Sequence, residues 1–220
     1  FPNLKCLAVN TTGISHIELP ALDSRGVKLL SLKGETEFLQ EVRATAELAL
    51  ALILSLLRRT PEAFAMAESG AWRRMEMMGE ELAGKTVGLI GFGRLGRITA
   101  ELLLAFRAKV LWCDVADCDT MPGAERTALE DLLARSDIVS LHASWMPGDS
   151  PILGQRELNL MKAGARLVNT ARGELIDEAA LLEALKSGRV SAALDVLSDE
   201  QGHDLKQNPL VQFSATSRNL

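Results

Sequence analysis

The run Gly91-Phe92-Gly93-Arg94-Leu95-Gly96 stands directly behind Thr86–Ile90, a stretch of strand character. It opens a segment in which Leu95, Ile98, Leu102 and Phe106 recur at helical spacing. A glycine-rich turn alone constrains little, but between a strand and a helix it is the fingerprint of a dinucleotide site. Gly91 permits the tight turn, Gly93 lets backbone approach a pyrophosphate, and Gly96 lets the helix pack closely on the strand. The helix start then offers free N–H groups to phosphate. The second half of the fingerprint is an acid ending the next strand. Asp114 closes Val110–Cys113, eighteen residues after Gly96, where a carboxylate can accept both hydroxyls of an adenosine ribose. The alternative role for Asp114 is to cap a turn. Val115 and Ala116 follow, so no adjacent Arg is offered to a 2′-phosphate, and NAD is favoured over NADP.

The segments around this core alternate. Strands are expected at Ile138–Leu141, Arg166–Asn169 and Ala192–Val196, with helices at Leu129–Arg135, Gln155–Met161 and Glu178–Ser187. Asp177 is placed to cap the last helix and Gly188 to stop it. Such alternation predicts an α/β fold with a doubly wound parallel sheet of Rossmann type. Ahead of it, Leu4–Val9 reads as a short strand, Glu37 to Arg59 as one long Ala- and Leu-rich helix, and Pro61 to about Trp72 as a second helix. Met75–Gly84 reads as a hinge.

Composition removes several classes of function. The 220 residues carry a net charge of −5 with scattered basic residues, which argues against a nucleic-acid surface. The longest apolar run, near Leu48–Leu57, is too short to span a bilayer. Cys6, Cys113 and Cys118 make no metal-spaced pair and leave an odd thiol, pointing to a reducing cytoplasmic setting with no metal site. Both ends, Phe1-Pro2-Asn3 and Asn219-Leu220, read as interior sequence, so further chain is expected on each side.

Four ordered motifs carry a family resemblance: Ser136-Asp137-Ile138-Val139-Ser140-Leu141-His142, Leu167-Val168-Asn169-Thr170-Ala171-Arg172-Gly173, Asp177-Glu178-Ala179-Ala180-Leu181, and Ala193-Leu194-Asp195-Val196. With the glycine turn they resemble the D-isomer-specific 2-hydroxyacid dehydrogenases, and the resemblance runs from Pro2 to Leu220. It implies a nucleotide domain at 79–220 and, at 1–78, part of a second α/β substrate domain plus the interdomain helix. It implies that Arg94 and Leu95 contact the pyrophosphate, that Ala143 and Ser144 line the adenine side, and that Thr170 and Ala171 approach the nicotinamide riboside beside Arg172. Asp195 would accept from the carboxamide, and Thr12 and Gly13 would offer backbone N–H groups to the substrate carboxylate. Arg172 would orient the substrate and Glu200 would partner a catalytic histidine. A guanidinium fork suits the coplanar carboxylate and carbonyl of a 2-oxo acid. Without the resemblance, Arg172 reads as a loop-end arginine in a salt bridge.

Two departures from the family pattern stand out: Ser15 where an acid or amide is usual, and Arg107 where a Gly would end the helix. Arg107 must turn left-handed or change the cap. None of His16, His142 and His203 fits the catalytic role, which the resemblance puts some twenty or more residues past Glu200. The activity implied is NAD-dependent interconversion of a D-2-hydroxy acid and its 2-oxo acid by a homodimer paired through the Glu37–Arg59 region. The competing reading is a non-catalytic NAD-binding regulatory module of corepressor type.

Overall fold

The computed structural model describes residues 1–10, 13–14, 17–198, 200, 204–217 and 220, apart from the side chain at 36. Two compact units emerge, Phe1–Arg43 and Ala44–Leu220. The helix of residues 44–58, grouped with the first 78 residues on sequence, therefore belongs to the second unit.

The first unit is a small β-α-β arrangement. Strand β1 (Cys6–Ala8) pairs in parallel with β2 (Lys28–Leu30), and helix α1 (Leu19–Asp23) crosses between them. Gly26, at φ +62°, ends α1 and turns the chain into Val27, which is buried. A short helix α2 (Thr36–Gln40) follows.

The second unit opens with α3 (Ala44–Arg58), whose buried residues Ala46, Ala49, Ile53 and Leu57 form one stripe at helical spacing. The expected single helix of 37–59 is thus two, parted at residues 41–43, where the boundary between the units falls. Arg59 is left-handed at φ 54° and separates α3 from α4 (Thr60–Glu68), which ends earlier than expected at Ser69 and Gly70. A 3-10 turn at Arg74–Met77 overlaps the start of the expected hinge, and Glu80 N then donates to Leu57 O.

From there strand and helix alternate: β3 (Thr86–Ile90), α5 (Arg94–Ala105), β4 (Lys109–Cys113), β5 (Ala124–Arg126), α6 (Leu129–Arg135), β6 (Ile138–Leu141), α7 (Gln155–Leu160), β7 (Ala165–Asn169), α8 (Glu178–Lys186), β8 (Val190–Leu194) and α9 (Pro209–Ser214). The last strand sits two residues earlier than its pattern suggested. The six strands form one parallel sheet in the order β5-β4-β3-β6-β7-β8. The chain steps outward from β3 to β5, returns to lie on the other side of β3 as β6, and steps outward again. The switch point is the crevice between β3 and β6, where ligands of such sheets bind.

Period-2 alternation sorts the side chains onto two faces. Val87, Leu89, Val110, Trp112, Ile138 and Val168 pack with Ile53 and Leu57 of α3 and Leu103 of α5. Ile90, Leu111, Val139, Leu141 and Leu167 pack with Leu132 and Leu133 of α6, Leu158 of α7 and Leu181 and Leu185 of α8. Strands covered on both faces read as near-continuous apolar runs, which is why the central ones were legible. Arg107 takes the left-handed option, at φ 61°, and its carbonyl accepts from Gly84 N at 2.9 Å. Asp177 caps α8 as expected, Oδ1 accepting from Ala179 N at 3.0 Å and Ala180 N at 3.1 Å.

Candidate functional site

The site is built where β3 gives way to α5. Gly91 has φ +96°, a conformation that costs an L side chain dearly, and a Cβ there would lie 2.5 Å from Ala143 N. The turn is thereby pressed against the end of β6. A Cβ on Gly96 would run into the Gly91 carbonyl oxygen, so α5 can come down on the turn only with glycine at this position. Gly93 differs from both: its φ of −72° suits any residue, and a Cβ there would meet no protein atom within 4 Å. Protein packing therefore does not require glycine at position 93, whereas a pyrophosphate lying against that backbone does.

Asp114 sits directly after β4, as expected, and accepts from two backbone amides. Its Oδ2 accepts from Phe92 N at 2.6 Å and its Oδ1 from Ala116 N at 2.8 Å. One carboxylate thus joins the glycine turn to the loop after β4, so the turn-capping role is real. Each oxygen keeps lone-pair capacity for a hydroxyl donor.

Around this junction lies a stack that sequence reasoning missed. The Phe92 ring lies on the Trp112 ring with centroids 4.1 Å apart and planes 10° apart. The Arg97 guanidinium covers the outer face of the pair at 4.9 Å from the Phe92 centroid, and Arg126 lies 5.2 Å from that of Trp112. Both arginines also hold the loop after Asp114. Arg97 donates to Asp119 O, and Arg126 donates to Ala116 O at 3.2 Å and to Asp117 Oδ1 at 3.0 Å. Arg126 is distant in sequence from Asp114 and arrives through the β4–β5 register, which sets it opposite Trp112. Only the pairing of a three-residue strand could have revealed it.

The carboxyl end of β7 carries the second cluster. Asn169 is fully buried; its Oδ1 accepts from Ala171 N at 3.0 Å and its Nδ2 donates to Arg172 O at 2.7 Å. The loop Thr170-Ala171-Arg172 is thus wound around one amide side chain. A buried Asn closing an apolar strand was the available sequence signal for this positioning residue. Thr170 is 6% exposed and its Oγ1 has no hydrogen-bond partner among the described residues. A buried hydroxyl without a partner at such a loop is what a ligand contact would satisfy. Arg172 is half-buried in an extended backbone conformation, its Nη1 donating to Ala171 O at 2.6 Å. Among the described residues no carboxylate pairs with it. Gly173 allows the backbone of Leu197 and Ser198 to cross directly above, where a Cβ would collide.

The remaining expected residues fall as follows. Arg94 and Leu95 open α5, both half-buried. Ala143 lies against Gly91 and Ser144 is exposed beyond it. Asp195 is exposed directly after β8, and its N–H donates to Asn169 O at 2.9 Å, which sets it beside the β7 loop. Glu200 is exposed and its Oε2 accepts from Leu197 N at 3.1 Å. Gly13 belongs to the first unit, while Thr12, His16 and His203 lie outside the described residues.

The electrostatics separate reactive from inert groups. His142 keeps part of its surface exposed, yet desolvation pushes its pKa down to about 4, and its Nε2 lies 2.9 Å from Ser140 Oγ. It is neutral at pH 7, which suits a pocket wall and not a proton donor. Burial, aided by Asp114 and Glu130, pushes the Cys113 thiol up to about 11, so it stays protonated. Desolvation and the Asp114 charge also raise the Cys118 thiol, against the pull of Arg97 and Arg126.

Strand order, glycine turn and acid together define a doubly wound dinucleotide-binding domain. Residues 50–217 match the family described as D-isomer specific 2-hydroxyacid dehydrogenase, NAD binding domain, and the chain belongs to that family. It is 38% identical over 208 residues to a glyoxylate reductase of Thermofilum pendens, covering 90% of this chain and 60% of that protein. It resembles the solved D-lactate dehydrogenase of Aquifex aeolicus complexed with NAD and lactic acid, at 29% identity and TM-score 0.83, over 99% of this chain and 68% of that one. It also resembles an acyclic imino acid reductase in complex with NADPH and D-Arg, at 31% identity and TM-score 0.79, over 95% of this chain and 65% of that one. The chain spans about 60% of the length of the glyoxylate reductase it matches. No helix among the described residues is long and apolar enough to cross a membrane.

Proposed function

We propose that this chain is the larger part of an NAD-dependent oxidoreductase that interconverts a D-2-hydroxy acid and its 2-oxo acid. The observation that carries the reading is the meeting, at the carboxyl edge of one sheet, of a complete glycine turn with a loop that presents Arg172 unpaired by any described acid. NAD(H), when bound, supplies or accepts the hydride. In this reading Gly91, Gly93, Arg94, Leu95 and Gly96 hold the pyrophosphate and Asp114 the ribose. Ala143 and Ser144 wall the adenine, and Thr170, Ala171 and Asp195 address the nicotinamide end. Arg172 orients the substrate by its carboxylate. Glu200 holds a histidine proton donor, which raises that group's pKa toward working pH. Residues 1–78 supply part of the substrate domain together with the interdomain helix, which is α3 of the second unit; the protein is cytoplasmic, and two copies pair through the α3 region.

The test uses the intact protein with NADH and a panel of 2-oxo acids. Turnover that falls about 10²-fold in Arg172→Ala, as expected when a substrate-orienting group is lost, supports the assignment. Unchanged turnover in that variant, or none with any 2-oxo acid in the native protein, contradicts it. Sedimentation as a monomer at micromolar concentration contradicts the pairing.

A further inference from the structure

The residues directly after Asp114 offer no cation, yet the fold supplies one from the neighbouring strand. Trp112 of β4 stands opposite Arg126 of β5, two positions before Asp114. The Arg126 guanidinium lies across the Trp112 ring and reaches the backbone of Ala116 and the carboxylate of Asp117, in the loop that follows the ribose-side acid. We propose that Arg126 is a cofactor-specificity residue that admits a 2′-phosphate at the adenosine end, so that this chain binds NADP(H) as well as NAD(H). The proposal rests on the dinucleotide reading of the glycine turn and adds to it the ligand's second phosphate site.

Three observations carry it. First, the fork is placed and only partly used. The guanidinium lies over a buried indole, 5.2 Å from its centroid, and its bonds to Ala116 O and Asp117 Oδ1 leave donors over for a phosphate. Second, its competitor is weak. The Asp117 side chain is 99% exposed and that of Arg126 43%, and a pair so open to water holds little free energy. A 2′-phosphate with nearly two charges outbids one solvated carboxylate for the same fork. Third, a second cation holds the same loop. Arg97, on the Phe92 side of the stack, donates to Asp119 O, while Arg126, on the Trp112 side, holds Ala116 and Asp117. Asp114 opposes the phosphate, but each of its oxygens already accepts a backbone amide, at 2.6 and 2.8 Å, which offsets part of its charge. The result is weak discrimination between the two cofactors.

The experiment is a fluorescence titration of the native chain and its variants with NADH and with NADPH at low and moderate salt. The native protein should bind NADPH within about tenfold of NADH, with a steeper loss on adding salt. Arg126→Gln should raise the ratio of NADPH to NADH dissociation constants about tenfold, the worth of one charge-assisted contact, and Asp117→Asn should lower it. Should Arg126→Gln fold poorly, Arg126→Lys, which keeps the charge and loses the fork, should give an intermediate ratio. A ratio unmoved in both Arg126 variants overturns the proposal. So does NADPH binding more than ~100-fold weaker than NADH in the native protein and Asp117→Asn alike. If NADH itself fails to bind, the dinucleotide reading falls and takes this one with it.

Discussion

The amide of Phe92 donates to the carboxylate of Asp114 at 2.6 Å, and this one bond fastens the glycine turn to the end of the adjacent strand. In the proposed function Asp114 would act on the cofactor twice, as an acceptor for ribose hydroxyls and as the tether of the turn against which the pyrophosphate would lie. Asp114→Ala is expected to weaken NADH binding by more than ~10-fold, the worth of one hydrogen bond to a charged group. Asp114→Asn keeps one acceptor oxygen and should fall between. Fluorescence titration measures both, and an Asp114→Ala protein that binds NADH like the native one removes Asp114 from the site.

Asn169 answers for the geometry of the loop that carries Arg172. Truncating it to Ala strands Arg172 O and Ala171 N in a part-buried setting, and each orphaned group costs up to about 1–3 kcal/mol. Chemical denaturation should show Asn169→Ala destabilised by at least ~2 kcal/mol. In the intact enzyme the same change should raise KM for the 2-oxo acid. A variant as stable as the native protein would show that this loop is held by something else.

His142 makes acid stability a readout of the pocket wall. Its ordinary pKa is 6.5, and desolvation in the fold lowers it to about 4. Between those values the unfolded chain binds a proton that the folded chain refuses, so the stability this group contributes is complete above pH 6.5 and is lost as pH falls toward 4. Glu80, held below its ordinary 4.5 by Lys85 and then Arg166, loses its contribution only at lower pH. His142→Gln should therefore flatten the fall in thermal stability between pH 6.5 and 4, and parallel native and variant curves would contradict the desolvated neutral ring.

The sheet was legible where physics acts locally. Thr86–Ile90 and Ile138–Leu141 are apolar runs covered on both faces, and Asp177 and Gly188 punctuate a helix by their own backbone chemistry. Arg107, in the place of a helix-ending Gly, left two options, a left-handed turn or a changed cap, and the fold takes the first. What escaped was decided by partners distant in the chain. Residues 124–126 are a strand only because β4 pairs with them, and Arg126 meets the Asp114 loop only through that pairing. The break at 41–43 has no Gly or Pro to announce it and coincides with the boundary between compact units. Asn169 looked like one letter of a motif, and its two bonds to its own loop show why an amide stands there.

The account stands or falls on a pyrophosphate lying against the backbone of Gly93, a glycine whose Cβ would meet no protein atom within 4 Å. Gly93→Val separates folding from binding at this position. Its φ of −72° accepts valine, and the change should cost no more than the ~1 kcal/mol of a poorer helix cap. NADH titration of the native chain and of Gly93→Val, with thermal melting of both, is the direct measurement. The account predicts a folded variant whose NADH affinity has dropped by more than ~10-fold, the equivalent of one lost strong contact. A folded Gly93→Val that binds NADH as tightly as the native protein would contradict it.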